Sequence, residues 1–269
     1  MKDIVQQMLM QAQQASRIAI TTHVNPDGDG FCAALALQKI IQELGKENLI
    51  VTDDDDLERY QFLLTDDSSR VRQFSSLSTL ETKQFDLVIV LDCNSYDRIG
   101  ERRALVDNAK YVAVFDHHVL EHEPINADLS IIEPAYVSAG AIIYELFKPQ
   151  ILSMQEVNRI YVANCIYTTI LNDTNNYSNA NTNSAVFAIA AELSDIGSKA
   201  HELYKEFFMN HAAEEMRYVG DTLATIELHN KRRVLTMYST MEMMQRNQLN
   251  PDSVMNITRW VQGVKGVDR

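Results

Sequence analysis

Four short apolar runs, at 17–22, 48–52, 86–91 and 111–115, each give way at their carboxyl end to ionisable residues. His23 and Asp27 follow the first, Asp53 follows the second, Asp92 closes the third, and Asp116-His117-His118 closes the fourth. Between the first two runs, Leu37, Ile40, Ile41 and Leu44 recur at helical spacing, and Gly45 ends the pattern. Strands that alternate with helices predict an α/β fold with a doubly wound, mainly parallel sheet. Ligands of such sheets gather beyond the carboxyl ends of the strands, and that is where this chain puts its polar chemistry.

Around this centre, Ile4, Val5, Met8, Leu9, Ala12 and Ala15 share one face of an N-terminal amphipathic helix. Further helices are expected at about 138–149, 153–171 and 183–195, then a helical connector at 196–212. Beyond it the composition changes. A β-like run at 233–239, a Met-rich stretch at 241–244 that reads as core filler, and a last helix opened by Pro251 suggest a small α/β C-terminal domain. The expected organisation is a catalytic metal-binding domain at 1–195, the connector, and a partial substrate-binding domain at 213–269.

Several motifs carry chemistry, and each has a plainer reading. In His23-Val-Asn-Pro-Asp27-Gly-Asp29-Gly30, one imidazole and two carboxylates converge on a tight turn. The spacing imitates an EF-hand calcium loop, but its twelfth position is Ala36 and a strand precedes it. An aspartyl-phosphate phosphatase would place its nucleophile directly off the strand, where His23 stands. Asp92, at the end of the apolar Val88–Leu91 run, is costly to bury unless paired or metal-bound, although it could equally cap the next turn. His117 and His118 supply imidazoles beside the carboxylate of Asp116. Asp173, in Leu171-Asn-Asp-Thr174, would by itself pass for a loop or cap residue.

Taken in order, these segments resemble the DHH phosphoesterase superfamily, which is recognised by H-x-x-x-D-x-D, a lone strand-end Asp, Asp-His-His and a downstream D-T. The resemblance runs over about 17–180 and is closest to the bacterial branch that degrades short oligoribonucleotides and dephosphorylates 3′-phosphoadenosine 5′-phosphate. It implies two divalent metal ions. His23, Asp27 and Asp92 would hold one; Asp29, Asp92, His117 and Asp173 would hold the other, with Asp92 shared. It also implies His118 as the phosphate contact, with Asp116 orienting a ligand. Arg98 is a candidate phosphate clamp, with a solvated surface arginine as the plainer reading. A ligand set of nitrogen and carboxylate oxygen favours manganese over magnesium or iron. The implied reaction is hydrolysis of a phosphate ester by water activated between the two ions.

The resemblance breaks off at the C-terminus. Relatives carry a glycine-rich G-G-G-H-type motif that helps hold substrate; none occurs in these 269 residues, so the C-terminal domain reads as incomplete. Two further readings therefore stand: a (cyclic) dinucleotide phosphodiesterase of the same superfamily, or a truncated metal-binding form with little turnover. An inorganic pyrophosphatase on the same scaffold fits the sequence less well. With 24 Lys+Arg against 37 Asp+Glu, an extended basic face for duplex nucleic acid is not expected. Four of those acids would lie in the metal cluster, where two divalent ions would offset them. The acidic loop Asp53–Asp56 reads as solvated, with Asp53 a candidate outer residue of the site. No apolar run approaches the roughly 18 residues of a membrane span. Cys32, Cys93 and Cys165 suit a reducing cytoplasm better than a disulfide framework. The expected partner is a small nucleotide or short single-stranded RNA, not a duplex or a membrane, and a homodimer is a candidate assembly.

Overall fold

The computed structural model describes residues 2–53, 57–64, 70–120, 122–249 and 257–267. It contains α1 (Lys2–Gln14), β1 (Ile18–Thr21), α2 (Gly28–Glu43), β2 (Asn48–Thr52), β3 (Val71–Gln73), α3 (Thr79–Thr82), β4 (Leu87–Leu91), α4 (Tyr96–Ile99), α5 (Arg103–Asn108), β5 (Tyr111–Asp116) and β6 (Leu129–Ile132). The helices α6 (Ala139–Ser153), α7 (Glu156–Asp173), α8 (Ser184–Ile196), α9 (Ala200–Phe208) and α10 (Ala213–Leu223) follow. The hairpin β7 (Glu227–His229) and β8 (Val234–Thr236), then α11 (Met241–Arg246) and α12 (Thr258–Val261), complete the order. Two compact units emerge, Met1–Phe207 and Phe208–Arg269. The division falls inside the segment expected as a connector, most of which is the helix α9.

In the first unit six parallel strands run in the order β3-β2-β1-β4-β5-β6. The chain winds outward from β1 to β3 and then returns to the other side through β4. A topological switch point therefore lies between β1 and β4. Both faces are covered, which is why the central strands are buried throughout rather than alternating. Val88, Val90, Val112 and Val114 pack with Ile99, Leu105 and Val106 on one face. By the period of two, Ile89 and Leu91 turn to the other, where α2 and α6 cover the sheet and α7 packs on both helices.

The edge strands β3 and β6 and the strand β7 have no counterpart among the sequence runs; they are three or four residues long and only partly buried. The helix expected to close at Pro149 continues to Ser153, with the proline inside its last turns. The second unit is small. Tyr218, Val219, Met244 and Ile257 form its core, with Met243 packed against them. Met241 departs from the core-filler reading: it is 53% exposed at the first turn of α11. The helix start expected at Pro251 lies outside the described residues. Among the described residues no helix is long and apolar enough to cross a membrane.

Candidate metal centre

The site is built at the switch point. His23 lies two residues beyond β1, Asp92 directly follows β4, and Asp116 is the last residue of β5. Asp27 is the N-cap of α2 and accepts from the Asp29 and Gly30 amides at 2.9 and 3.2 Å, so one residue serves both as cap and as part of the cluster. Asp173 ends α7. Gly30 is required by close approach: a Cβ there would stand 2.2 Å from Thr22 Oγ1 and 3.3 Å from Asp92 Oδ2.

Asp92 is the hub. It is 1% exposed, and its φ of +56° is a left-handed conformation that costs a non-glycine residue about 1–2 kcal/mol. Its two oxygens face different groups: Oδ2 lies 3.4 Å from His23 Nε2, while Oδ1 lies 3.4 Å from His117 Nε2 and 3.2 Å from His118 Nδ1. The alternative of Asp92 capping the next turn is not what its side chain does; Ser95 takes the N-cap position of α4. His23 Nε2 is also 3.7 Å from Asp27 Oδ1. His117 Nε2 is 3.0 Å from Asp173 Oδ2 and 3.4 Å from Asp29 Oδ2. Sets of ligand atoms close enough to share an ion are His23–Asp27–Asp92, Asp29–His117–Asp173 and Asp92–Asp116–His117–His118.

These atoms converge without bonding one another. His23 Nε2, His117 Nε2 and Asp92 Oδ1 are buried and lack a hydrogen-bond partner of good geometry. A cation between them would satisfy all three, so the donor set fits divalent metal ions. The surroundings aim the donors. His23 Nδ1 donates to the Val24 carbonyl at 2.8 Å, which leaves Nε2 facing the carboxylates. Asp29 accepts from the Ala139 and Gly140 amides at the start of α6 at 2.6 and 3.1 Å. Asn172 accepts from the Gly28 amide and donates to Asp173 Oδ1 at 2.8 Å. Asp116, fully buried, accepts from the His117 and His118 amides and from His118 Nδ1 at 2.9 Å.

The electrostatics are those of an anionic cage. Burial pulls His23 and His117 down, but their carboxylate partners outweigh it and push both up to about 10. His118 also rises to about 10, chiefly through Asp116 and then Asp92. Burial, then the charges of Asp92 and Asp173, raise Asp29 well above the usual carboxylate range. Burial also opposes ionisation of Asp92, yet the three imidazoles beside it hold it well below that range. Without a cation the cluster keeps its protons.

Arg98 is tied to the site through its backbone, whose carbonyl accepts from the Val24 amide at 2.8 Å. Asp53 is not simply solvated: it pairs at 3.0 Å with Arg102, which is fully buried and also donates to Thr21 Oγ1. Asp54–Asp56 lie outside the described residues. Cys93 is a buried small residue whose thiol is pushed up to about 11 by burial, unsuited to nucleophilic work. Sequence reasoning missed the Ala139–Gly140 amides and Asn172. A serine opening a helix with glycine two residues on, as in Ser138-Ala-Gly140, was the available signal for the first.

Residues 17–170, more than half of the chain, match the N-terminal domain of the DHH family. The chain belongs to the DHH family. It is 26% identical over 246 residues to the bifunctional oligoribonuclease and PAP phosphatase NrnA of Thermus thermophilus, covering 91% of this chain and 69% of that protein. It is likewise 26% identical over 189 residues to the cyclic-di-AMP phosphodiesterase GdpP of Bacillus subtilis, covering 67% of this chain but only 28% of that one. An exopolyphosphatase-related protein from Bacteroides fragilis shares the fold, with a TM-score of 0.87 at 17% identity over 99% of this chain and 78% of its own.

Proposed function

We propose that this DHH-family chain is a cytoplasmic, metal-dependent phosphoesterase that hydrolyses short oligoribonucleotides and 3′-phosphoadenosine 5′-phosphate. The observation that carries the reading is Asp92, whose two oxygens face two separate ligand groups. That arrangement supports two ions, one with His23, Asp27 and Asp92, the other with Asp29, Asp92, His117 and Asp173; manganese suits these donors best. Divalent ions held there would acidify water and neutralise charge on the phosphoryl oxygens.

The remaining work falls to the chain. His118 has the most exposed side chain of the three imidazoles, at 42% against 9% and 14%, which supports its role as the phosphate contact. Asp116 fixes its Nδ1–H, so that Nε2 is presented outward. Asp29 and Asp173 are held by amide donors and keep the cage from relaxing. The similarity to NrnA, longer and with more of the relative covered than that to GdpP, favours oligoribonucleotides and 3′-phosphoadenosine 5′-phosphate over cyclic dinucleotides.

The test is a panel with Mn2+: a diribonucleotide, 3′-phosphoadenosine 5′-phosphate, cyclic di-AMP and pyrophosphate. Turnover of the first two, abolished in Asp92→Ala, is expected. Turnover of cyclic di-AMP alone would move the protein to the phosphodiesterase reading. Full activity in Asp92→Ala, or no turnover of any substrate with two ions bound, would overturn the proposal.

A further inference from the structure

The charge balance of the site raises a question about its substrates. Four carboxylates cancel the charge of two divalent ions, so the loaded cluster is formally neutral and has no net charge to spare for a second phosphate. 3′-Phosphoadenosine 5′-phosphate carries two phosphates, each with about −1.5 to −2 charge. The phosphate that is not cleaved needs a cation of its own. Arg102 is committed to Asp53, the His23 and His117 imidazoles face the cluster, and His118 serves the scissile phosphate.

Arg59 answers the description. It is exposed, and its guanidinium lies over two aromatic rings, 4.8 Å from the centroid of Phe207 and 5.1 Å from that of Tyr60. Both rings are fastened to the turn that bears Asp27 and Asp29. Tyr60 is fully buried, packs 4.7 Å from Phe31 of α2, and donates its hydroxyl to the Pro26 carbonyl at 3.1 Å. Phe207 lies so close to Gly28 that a Cβ there would stand 2.5 Å from its Cζ. Gly28 is in turn bonded to Asn172, the residue that holds Asp173. The arginine is thus stacked on a platform one residue removed from two candidate ligands. Its contacts among the described residues are with rings rather than carboxylates, in a chain where acids outnumber bases 37 to 24. Stacking on ring faces fixes the plane of a guanidinium and leaves its N–H edge to bind.

We propose that Arg59, laid across Tyr60 and Phe207, binds the non-scissile phosphate of the substrate. The inference rests on the phosphoesterase reading of the adjacent cluster and assigns it a second anion subsite. The platform makes Arg59 a specificity residue: it favours substrates with a second phosphate over simple phosphate esters.

Arg59→Gln and Arg59→Lys, in the whole chain with Mn2+, separate the possibilities. Bis(p-nitrophenyl) phosphate has no second phosphate and reports the cluster alone; 3′-phosphoadenosine 5′-phosphate reports both. Arg59→Gln is expected to raise KM for the bisphosphate about tenfold or more while kcat and the chromogenic activity stay within about twofold. Arg59→Lys should recover part of the loss, because it restores the charge but not the planar fork. Equilibrium binding of 5′-AMP, which keeps the non-scissile phosphate and is not consumed, should weaken by a similar factor in Arg59→Gln, with adenosine binding unchanged. An equal loss on both substrates, or unchanged KM and unchanged AMP affinity, would overturn the subsite. If the wild-type protein turns over neither substrate, the phosphoesterase reading fails, and the AMP titration still decides the subsite.

Discussion

The two units of this molecule spend their residues differently. Residues 208–269 hold 8 Lys+Arg against 7 Asp+Glu, which leaves 16 against 30 for residues 1–207. The first unit gathers five of its carboxylates around three imidazoles on a sheet covered on both faces; the second is nearly neutral, and among its described residues has a two-stranded hairpin and a core of four buried side chains. A hairpin of that size is marginal by itself. A converging acidic cage requires a large rigid framework to oppose its own repulsion, and only the first unit has one.

The sharpest way to break this contrast is to remove a carboxylate from each unit. Asp92→Asn should lower metal affinity by more than the roughly 10–100-fold that an outer hydrogen-bond partner costs, measured by calorimetric Mn2+ titration. Asp221→Asn, which disturbs the contacts to Asn247 and Arg246 in the second unit, should leave the titration unchanged. Equal effects would mean that the cluster is not the metal site.

Glycines offer the next contrast. A Cβ at Gly140 would stand 2.1 Å from Thr169 Oγ1, where α6 crosses α7, so Gly140→Ala should destabilise the first unit by about 2–4 kcal/mol in urea, followed by circular dichroism. Gly220, inside α10, has nothing within 4 Å of the same position. Gly220→Ala should stabilise the second unit by about 1 kcal/mol, read from the fluorescence of Trp260, the single tryptophan. Stabilisation at both positions would show that the α6–α7 approach is looser than described.

A further contrast is in pH dependence. His23 and His117 have folded values near 10 against an ordinary 6.5. Groups raised in this way add stability that is complete below about 6.5 and disappears as pH climbs through 10. The metal-free protein should therefore melt at progressively lower temperature between pH 7 and 9.5, and saturation with Mn2+ should flatten the slope. Loading at pH 7 should also release protons, because imidazoles must be neutral to ligate; an indicator dye measures this. Loading without proton release would contradict the protonated cage.

Much of this arrangement is legible from the chain. Val88–Leu91 is uniformly apolar because both faces of β4 are covered, and the acids that follow such runs mark the sheet end where ligands collect. The His23 and Asp-His-His segments could be placed from local pattern alone. β3 and β6 could not: as short edge strands they owe their conformation to β2 and β5 rather than to their own composition. Arg102 and Asn172 were invisible for a related reason. Arg102 reaches Asp53 and Asn172 reaches Gly28 across long stretches of chain, and no local spacing records such a bond. Arg98 stood out by its position after β4, yet what links it to the His23 loop is a carbonyl that any residue could supply.

Asp29 also bears on how the chain folds. A helix ordinarily has its first amides satisfied from an N-cap two or three residues upstream, and Ser138 does this for Ala141 at 3.0 Å. The amides of Ala139 and Gly140 instead depend on a side chain 110 and 111 residues earlier. The first turn of α6 is therefore finished only once β1 and α2 are in place. A contact of that sequence separation is slow to form. The same carboxylate that would wait for an ion also sets the order of assembly, so a fragment lacking residues 23–30 should be unable to complete α6.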